Sequence, residues 1–446
     1  MSEQKLNEPL TVEYAALSNL QVYSANPRQH DTKQIAKISR SIEQFGFINP
    51  ILIDEHNEII AGHARLEAAQ LAKMARVPVI RLSHLSNAQK RAYRIADNKL
   101  AELGSWSLEL LQMEFKALEE MELDFSLTVT GYDMGDIDLI LDGKEVPADP
   151  KANHIPFIPD NEVVSKEGDV WQLGQHRIIC GNSLQKDIMN TLMDGKKADM
   201  VFADPPYNVK INGHVCGAGS VKHEEFKFAS GEMTSEQFVQ FLRTAFETLC
   251  AASKNGSLHY ICMDWRHIKE IIQAGEVYDQ FKNLCVWRKN NAGMGSFYRS
   301  QHELIFMFKH GTEPHINNVE LGIHGRYRTN VWCYPGVNTP GEENSEKRAM
   351  HPTVKPVELI KDAILDASNR GGIVLDSFLG SGSTLIAAEK AGRICYGVEL
   401  EPKYVDTAIR RYESLGANRQ AVHLASGKSY QELLAVKRAE EENHAA

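Results

Sequence analysis

The hydrophobic pattern in the second half of the chain alternates between the periods typical of strands and of helices. Short apolar runs predict strands, whereas longer segments with apolar residues every three or four positions predict amphipathic helices. The predicted strands are 200–203, 257–263, 303–308, 372–375 and 394–398, and the predicted helices are 235–251, 356–367, 383–391 and 404–415. This alternation predicts an α/β fold with a mostly parallel sheet that helices cover on both faces.

The first half of the chain has a different pattern. Residues 10–85 predict a small α/β domain, with strands at 51–53, 59–61 and 77–81 and helices at 32–45 and 64–74. Residues 86–141 predict a helical extension. We expect a linker at 142–165, a second domain at 166–425 and a tail at 426–446, because four prolines interrupt the pattern after residue 142.

Length, composition and charge disfavour several classes of protein, among them membrane-spanning, secreted and zinc-binding proteins. With 446 residues the chain is too long for one ordinary core, and no apolar run is long enough to span a membrane. The amino end lacks the order of a signal peptide, so we expect a cytoplasmic protein without a membrane partner. Seven cysteines without a C-x-x-C pair predict reduced thiols and no metal site. The net charge of −10 disfavours nucleic acid, but residues 282–330 carry seven Lys and Arg against three acidic residues.

The strongest motif is Asp204-Pro205-Pro206-Tyr207, which follows the apolar run 200–203. A strand that stops at a rigid Pro-Pro turn presents a carboxylate and an aromatic ring at the carboxyl edge of a sheet. The exocyclic amine of a base is a poor nucleophile, because its lone pair is delocalised into the ring. A carboxylate and a carbonyl that accept its N–H bonds favour attack on a sulfonium methyl, and Tyr207 could stack on a flipped base.

The second motif is D-S-F-L-G-S-G-S-T at 376–384, between a predicted strand and a predicted helix. Glycines at such a turn let the backbone approach a bound nucleotide closely. Glu399 ends the next predicted strand about 20 residues further on, where a carboxylate can accept both ribose hydroxyls. A third motif, H-P-T-V-K-P at 351–356, lies just upstream and predicts a rigid segment along the cofactor.

These motifs, in this order, resemble the beta-group amino methyltransferases of DNA over roughly residues 166–416. The resemblance implies a Rossmann-like methyltransferase fold with a circularly permuted motif order, S-adenosylmethionine as cofactor, and Asp204, Pro205, Pro206 and Tyr207 as catalytic residues. The implied cofactor-binding residues are Asp376, Phe378, Gly380, Ser381, Gly382, Glu399, Thr353, Lys355 and Asn182. Residues 287–289, Gly295 and 298–303 are similar to the family's element at the target-base pocket, and they give the DNA-binding candidates Arg288, Lys289, Tyr298, Arg299 and His302.

Three positions depart from that family's pattern. Cys180-Gly181-Asn182-Ser183 stands where Gly-Asp-Ser is usual, so we expect a weaker or different contact to the cofactor's adenine. Ser377 replaces the commoner proline, which should loosen the turn without removing a contact. The catalytic motif begins with Asp rather than Ser, which in this family favours adenine over cytosine.

Residues 11–82 resemble a ParB/sulfiredoxin-type domain through N-P-R at 26–28 and the G-H-A-R element at 62–65. The resemblance implies a nucleoside triphosphate site at Gly62, His63 and Arg65. Ala64 replaces an arginine common in ParB proteins, so a docking module that binds no nucleotide is the alternative. The segment 88–99 is rich in basic residues, which either contact DNA phosphates or form a solvent-exposed face of a helix.

The sequence as a whole predicts a site-specific DNA adenine-N6 methyltransferase that flips its target base. The predicted partners are double-stranded DNA and S-adenosylmethionine, and a homodimer is one oligomeric state that the sequence allows. One alternative is an N4-cytosine methyltransferase. Another is a ParB-like DNA-binding or partition protein whose carboxyl half is inactive.

Overall fold

The computed structural model divides the chain into two units, Met1–Lys144 and Glu145–Ala446. The residues that the structure describes are 9–121, 123–142, 152–209, 231–290, 292, 297–322, 326–336 and 354–445.

The first unit is a small α/β structure followed by helices. Its four-stranded sheet has the order β1-β4-β2-β3, in which β2 and β4 are parallel and the other pairs antiparallel. The strands are β1 Val12–Ala16, β2 Ile51–Ile53, β3 Ile59–Ala61 and β4 Arg76–Arg81. The helices are α1 Thr32–Phe45, α2 His63–Leu71, α3 Asn87–Ala101, α4 Leu108–Glu119 and α5 Met134–Asp142. The predicted helix at 32–45 and the predicted strands at 51–53 and 59–61 agree with these bounds.

In helix α3 the burial of two basic residues differs from the prediction for the basic segment 88–99. Its Ser86–Gln89 capping box starts the helix as the pattern expects, but Ile95 and Leu100 are exposed while Lys90 and Arg94 are buried. Lys90 Nζ lies 3.1 Å from Asp54 Oδ2, and Arg94 Nη2 lies 2.5 Å from Glu58 Oε1. These two basic residues therefore anchor the helix on the small sheet, and the interpretation of segment 88–99 as a basic face for DNA is wrong for both.

The second unit contains a ten-stranded sheet of order β11-β9-β10-β8-β7-β12-β13-β6-β5-β14. Its strands are β5 Val170–Leu173, β6 His176–Cys180, β7 Ala198–Ala203, β8 Ser253–Met263, β9 Gln280–Arg288, β10 His302–Lys309, β11 Val331–Cys333, β12 Ile373–Asp376, β13 Ile394–Glu399 and β14 Ala421–His423. Its helices are α6 Lys186–Met193, α7 Ser235–Ala252, α8 Ile268–Ala274, α9 Val357–Ala367, α10 Ser383–Lys390, α11 Pro402–Glu413 and α12 Tyr430–Ala445.

The centre of this sheet, β8-β7-β12-β13-β6, is parallel, and the outer neighbours β10 and β5 run antiparallel to it. Side chains alternate between its two faces. Met200 and Phe202 of β7 pack with helices α9, α10 and α11, whereas Val201 and Ala203 pack with α6, α7 and α8. The predicted doubly covered α/β fold is confirmed, and it is the Rossmann-like fold of methyltransferases. Strand β7, which leads into the D-P-P-Y motif, precedes β12, which leads into the glycine loop, by about 170 residues, although the two strands lie side by side. This is the circularly permuted motif order that the sequence predicts.

The sequence pattern missed β6, at one end of the parallel centre, and four of the strands outside it. Strands β5, β6, β9, β11 and β14 were not predicted, because each is short or mixes polar with apolar residues. Among the described residues, no helix is long and apolar enough to cross a membrane.

Candidate active site

The candidate site lies where the carboxyl ends of the parallel strands meet. The chain passes from β7 outward to β8 and from β12 outward to β13 in the opposite direction, so β7 and β12 form a topological switch point. Such a point opens a crevice at the carboxyl edge of a sheet. Asp204 follows β7, while Asp376 ends β12 and Glu399 ends β13. The fold therefore brings the two strongest sequence motifs to one edge.

The D-P-P-Y motif forms a short turn held by Asn208. The side chain of Asn208, at φ +53°, accepts the N–H groups of Gly231 and Met233 and donates to the Met233 carbonyl at 2.9 Å. Pro205 is buried, and the Tyr207 hydroxyl donates to Asp204 Oδ1 at 2.7 Å. The turn thus fixes the carboxylate and the ring relative to each other.

Two lysines and a second carboxylate complete a buried charge cluster around Asp204. Lys355 Nζ lies 2.5 Å from Asp204 Oδ2, 3.0 Å from Glu303 Oε2 and 3.2 Å from the Tyr207 hydroxyl. Lys289 Nζ lies 2.5 Å from Glu303 Oε1. Burial raises the pKa of Asp204, and the Lys355 ammonium opposes that rise. At Glu303 burial also acts upward, but Lys355 and Lys289 outweigh it and hold its pKa at about 2.

The glycine loop is bound to the next strand through Glu399. Glu399 Oε2 accepts the N–H of Gly380 at 2.8 Å, and its Oε1 accepts the N–H of Glu401 at 2.8 Å. Asp376 accepts the Thr384 hydroxyl at 2.6 Å. Burial raises the pKa of both Glu399 and Asp376 to about 7, although these hydrogen bonds act downward. Carboxyl groups whose pKa lies near neutrality are more frequent at functional sites than in plain turns.

Two glycines in this loop have positive φ, and a Cβ atom would have different surroundings at each. Gly380 (φ +53°) faces open space, since a Cβ there would meet nothing within 4 Å. Gly382 (φ +85°) starts α10, and a Cβ there would lie 2.7 Å from the Cβ of Ala408. The buried Ser377 hydroxyl has no hydrogen-bond partner. Open space at Gly380 beside an unsatisfied hydroxyl and two carboxylates fits a polar cofactor such as a nucleoside.

The remaining cofactor candidates lie in different environments. Phe378 is half-buried, with its ring 6.2 Å from that of Phe241. Ser381 is buried, and its carbonyl accepts Arg411 Nη1 at 2.7 Å. Asn182 follows β6 at the same edge, where its Oδ1 accepts the Leu184 N–H at 3.0 Å. Thr353 lies outside the described residues.

The DNA-binding candidates divide into inward and outward side chains. Lys289 turns inward to Glu303, while Arg288 and Tyr298 are exposed. Arg299 donates to the Ala292 carbonyl at 2.9 Å, and His302 is half-buried at the start of β10. Gly295 is outside the described residues. Two further arginines of the basic stretch, Arg326 and Arg328, pair with Asp362 and Asp366 of α9, so the local positive charge is smaller than the sequence indicates.

In the first unit, the three candidate nucleotide residues lie together at the amino end of α2. Gly62 has φ +106°, and the Arg65 guanidinium lies 2.9 Å from the position that a Gly62 Cβ would take. His63 is buried, and both His63 Nε2 and Arg65 Nε are without a hydrogen-bond partner. Two polar nitrogens without a partner at a helix amino terminus, one of them a guanidinium N–H donor, favour a phosphate ligand.

Sequence reasoning missed two site residues. Glu303 was named only as the end of the base-pocket segment, and Arg411 was not named. Both depend on long-range packing; the local signal for Glu303 was an acid opening an apolar strand across a hairpin from Lys289. Among the described residues, no group of three His, Cys, Asp or Glu side chains could hold a metal ion.

Comparison with known proteins finds family matches in separate parts of the chain. Residues 198–410 match the family model described as DNA methylase, residues 1–99 match the ParB N-terminal domain, and residues 109–167 match the ParB-methyltransferase HTH domain. The last match crosses the predicted boundary between helical extension and linker.

Three curated relatives show the same division. Type II methyltransferase M2.DpnII of Streptococcus pneumoniae is 30% identical over 241 residues, which cover 50% of this chain and 85% of that protein. Type II methyltransferase M.HpaI of Haemophilus parainfluenzae is 25% identical over 253 residues, covering 53% of this chain and 74% of that protein. The ParB-like nuclease domain-containing protein YnaK of Escherichia coli is 50% identical over 86 residues, covering 19% of this chain and 99% of that protein.

The fold and the site define a methyltransferase of the Rossmann-like class. The chain belongs to the DNA amino methyltransferase family, with a ParB-like domain at its amino end. Members of this family take the methyl group from S-adenosylmethionine.

Proposed function

We propose that the chain is a site-specific adenine-N6 methyltransferase of double-stranded DNA. The observation that carries this proposal is the position of Asp204 and Tyr207 at the switch point, on the strand beside the glycine loop. An Asp at the first position of the D-P-P-Y motif supports adenine rather than cytosine, by resemblance to the family.

The residues at this edge divide into two functions. We assign the cofactor to Asp376, Phe378, Gly380, Ser381, Gly382, Glu399, Asn182 and Thr353, whereas the ammonium of Lys355, also expected at the cofactor, lies between Asp204 and Glu303. The cofactor supplies an electrophilic methyl group on a sulfonium. The Glu399 carboxylate is suited to accept ribose hydroxyls, because it ends the strand that follows the glycine loop.

Asp204 acts on the amine. Its carboxylate accepts an N–H of the amine, and the carbonyl of the rigid Pro205–Pro206 turn accepts the other, which localises the nitrogen lone pair. As the N–C bond forms and the S–C bond breaks, the amine nitrogen must lose one proton. A buried carboxylate with a raised pKa is a better proton acceptor than an exposed one, and Asp204 has that property.

Tyr207 and the basic hairpin hold the DNA. The Tyr207 ring stacks on the flipped base while its hydroxyl stays on Asp204. Arg288, Tyr298, Arg299 and His302, at the β9–β10 end of the same edge, contact the duplex. The match of residues 109–167 to an HTH domain supports a second DNA contact within that range.

The ParB-like domain supplies a separate nucleotide site in this proposal. Gly62, His63 and Arg65 bind the phosphates of a nucleoside triphosphate, which is supported by the two nitrogens without a partner, His63 Nε2 and Arg65 Nε, at the start of α2. Binding of a labelled nucleoside triphosphate to the wild type and to Arg65→Met tests this site. Homodimer formation stays a prediction, to be checked by light scattering.

The central test identifies the methylated nucleoside. Duplex DNA is incubated with labelled S-adenosylmethionine and the protein, then digested to nucleosides and separated by mass. We expect N6-methyldeoxyadenosine; N4-methyldeoxycytidine would instead establish the cytosine alternative.

The matched variant is Asp204→Ala. We expect it to bind the cofactor as the wild type does and to transfer no methyl group. Cofactor binding without transfer to any DNA by the wild type would favour the inactive-half alternative. Near wild-type transfer by Asp204→Ala would refute the assignment of the catalytic motif.

A further inference from the structure

Glu303 occupies a defined position beside the catalytic carboxylate. It is the second residue of β10, which runs antiparallel to β8 and so begins at the carboxyl edge of the parallel strands. Its Oε2 lies 3.0 Å from Lys355 Nζ and 3.3 Å from the Tyr207 hydroxyl oxygen. The ammonium of Lys355 therefore lies between two carboxylates, with Asp204 Oδ2 on its other side at 2.5 Å.

This arrangement obstructs the role assigned to Asp204. Its Oδ2 is occupied by an ammonium and its Oδ1 by the Tyr207 hydroxyl, so both oxygens of the carboxylate already have a hydrogen-bond partner when the target amine arrives. Lys355 cannot withdraw to water, because its side chain is 4% exposed. A buried ammonium needs another anionic partner before it can leave the first.

We propose that Glu303 is a positioning residue for methyl transfer: it shares the Lys355 ammonium with Asp204 and takes it over when the target amine binds Asp204. The inference rests on the proposed function of Asp204. Because Lys355 Nζ already lies within hydrogen-bond distance of both carboxylates, the transfer needs only a small displacement of the ammonium.

Lys289 sets how strongly Glu303 attracts Lys355. Its Nζ lies 2.5 Å from Glu303 Oε1, and its backbone N–H bonds to the Gln301 carbonyl at 2.9 Å across the β9–β10 hairpin. The four charged side chains form a neutral cluster of two anions and two cations. Lys289 also belongs to the hairpin that carries the DNA-binding candidates, so DNA contact and the charge on Glu303 are linked through one residue.

The groups that act on Asp204 come from every neighbouring element. They are Lys355 before α9, Glu303 on β10, Tyr207 after β7, Cys262 on β8 and Asp376 on β12, while Lys289 after β9 acts on Glu303. Glu303 and Lys289 can be changed without altering the D-P-P-Y motif, the glycine loop or the Lys355 ammonium that the two carboxylates share.

Two substitutions should move the acid limb of the rate profile in opposite directions. In Glu303→Gln, Asp204 loses a like charge and keeps Lys355 to itself, so its pKa falls and kcat drops by roughly tenfold. In Lys289→Gln, Glu303 attracts Lys355 more strongly and the pKa of Asp204 rises. We expect the acid limb of kcat to shift down by about one pH unit in the first variant and up in the second. Glu303→Asp should restore part of the rate.

The experiment measures kcat against pH at saturating DNA and cofactor for the wild type and these variants. Glu247→Gln, an exposed acid on α7, is the control and should match the wild type. Opposite shifts of the acid limb support the proposal. A lower rate in both variants with an unmoved acid limb would mean that Glu303 only holds the fold, and would overturn it.

A second readout does not depend on activity. Infrared titration of protein labelled with carbon-13 aspartate, with Asp204→Asn to identify the band, gives the Asp204 midpoint directly. That midpoint should be lower in Glu303→Gln than in the wild type; equal midpoints would overturn the sharing of Lys355. Absence of methyl transfer by the wild type together with a shifted midpoint would reject the proposed function and leave the charge sharing supported.

Discussion

The assignment of Glu399 to the cofactor's ribose predicts a specific pH dependence of binding. Burial raises the pKa of this carboxyl to about 7, so without cofactor it is largely protonated at pH 6 and largely ionised at pH 8. Two hydroxyl donors bind the ionised form better than the protonated form. Affinity should therefore rise with pH up to about 7 and then level off, with proton release on binding.

The magnitude follows from the ionised fraction. With a pKa of about 7, only about a tenth of Glu399 is ionised at pH 6, so we expect the dissociation constant of S-adenosylmethionine to be roughly tenfold higher at pH 6 than at pH 8. Glu399→Gln removes the titration and one or more charge-assisted hydrogen bonds, worth about 1.5–3 kcal/mol, which is a loss of roughly 10–100-fold at pH 8. Its own pH dependence should be flat or much reduced.

Calorimetric titration at pH 6, 7 and 8, in two buffers with different ionisation enthalpies, measures both the affinity and the protons released. Asp376 titrates in the same range and part of its raised pKa comes from Glu399, so the difference between wild type and Glu399→Gln measures the Glu399 carboxylate together with its effect on Asp376. Glu247→Gln serves as the folded control. The reasoning is refuted if the wild-type affinity is the same at pH 6 and 8, or if Glu399→Gln keeps the full wild-type dependence.

Two further predictions concern the loop and the DNA surface. Gly382→Ala should lower the melting temperature more than Gly380→Ala, because both residues have positive φ but only the Gly382 Cβ would lie 2.7 Å from Ala408; equal melting temperatures would contradict this close approach. Arg288→Gln should reduce the slope of log binding constant against log salt by about 0.9, whereas Lys289→Gln should change it less, since Lys289 is paired with Glu303. Filter binding of duplex DNA over a salt series checks this, and equal slopes for both variants would show that the pairing does not persist in solution.

The candidate site shows which features could be predicted from neighbouring residues in the sequence. The D-P-P-Y turn and the glycine loop are each contained in a few consecutive residues, and the strands before them are apolar enough to be found by period alone. The proximity of the D-P-P-Y turn and the glycine loop could also be predicted, because the carboxyl ends of parallel strands lie at the same edge of a sheet. Lys355 was assigned to the cofactor from its motif, yet the structure places its ammonium between Asp204 and Glu303.

The amino-acid sequence by itself determined the α/β class, the two candidate motifs and the family, because strand and helix periods, proline turns and glycine loops are properties of neighbouring residues. Only the tertiary structure decided which charges pair. Lys355 is 151 residues from Asp204 in the chain, and β10 reaches the site only through its antiparallel pairing with β8. A carboxylate's partner is set by sheet order and burial, which no local pattern contains, and for that reason the Glu303 cluster and the buried Lys90 and Arg94 became visible only in the folded chain.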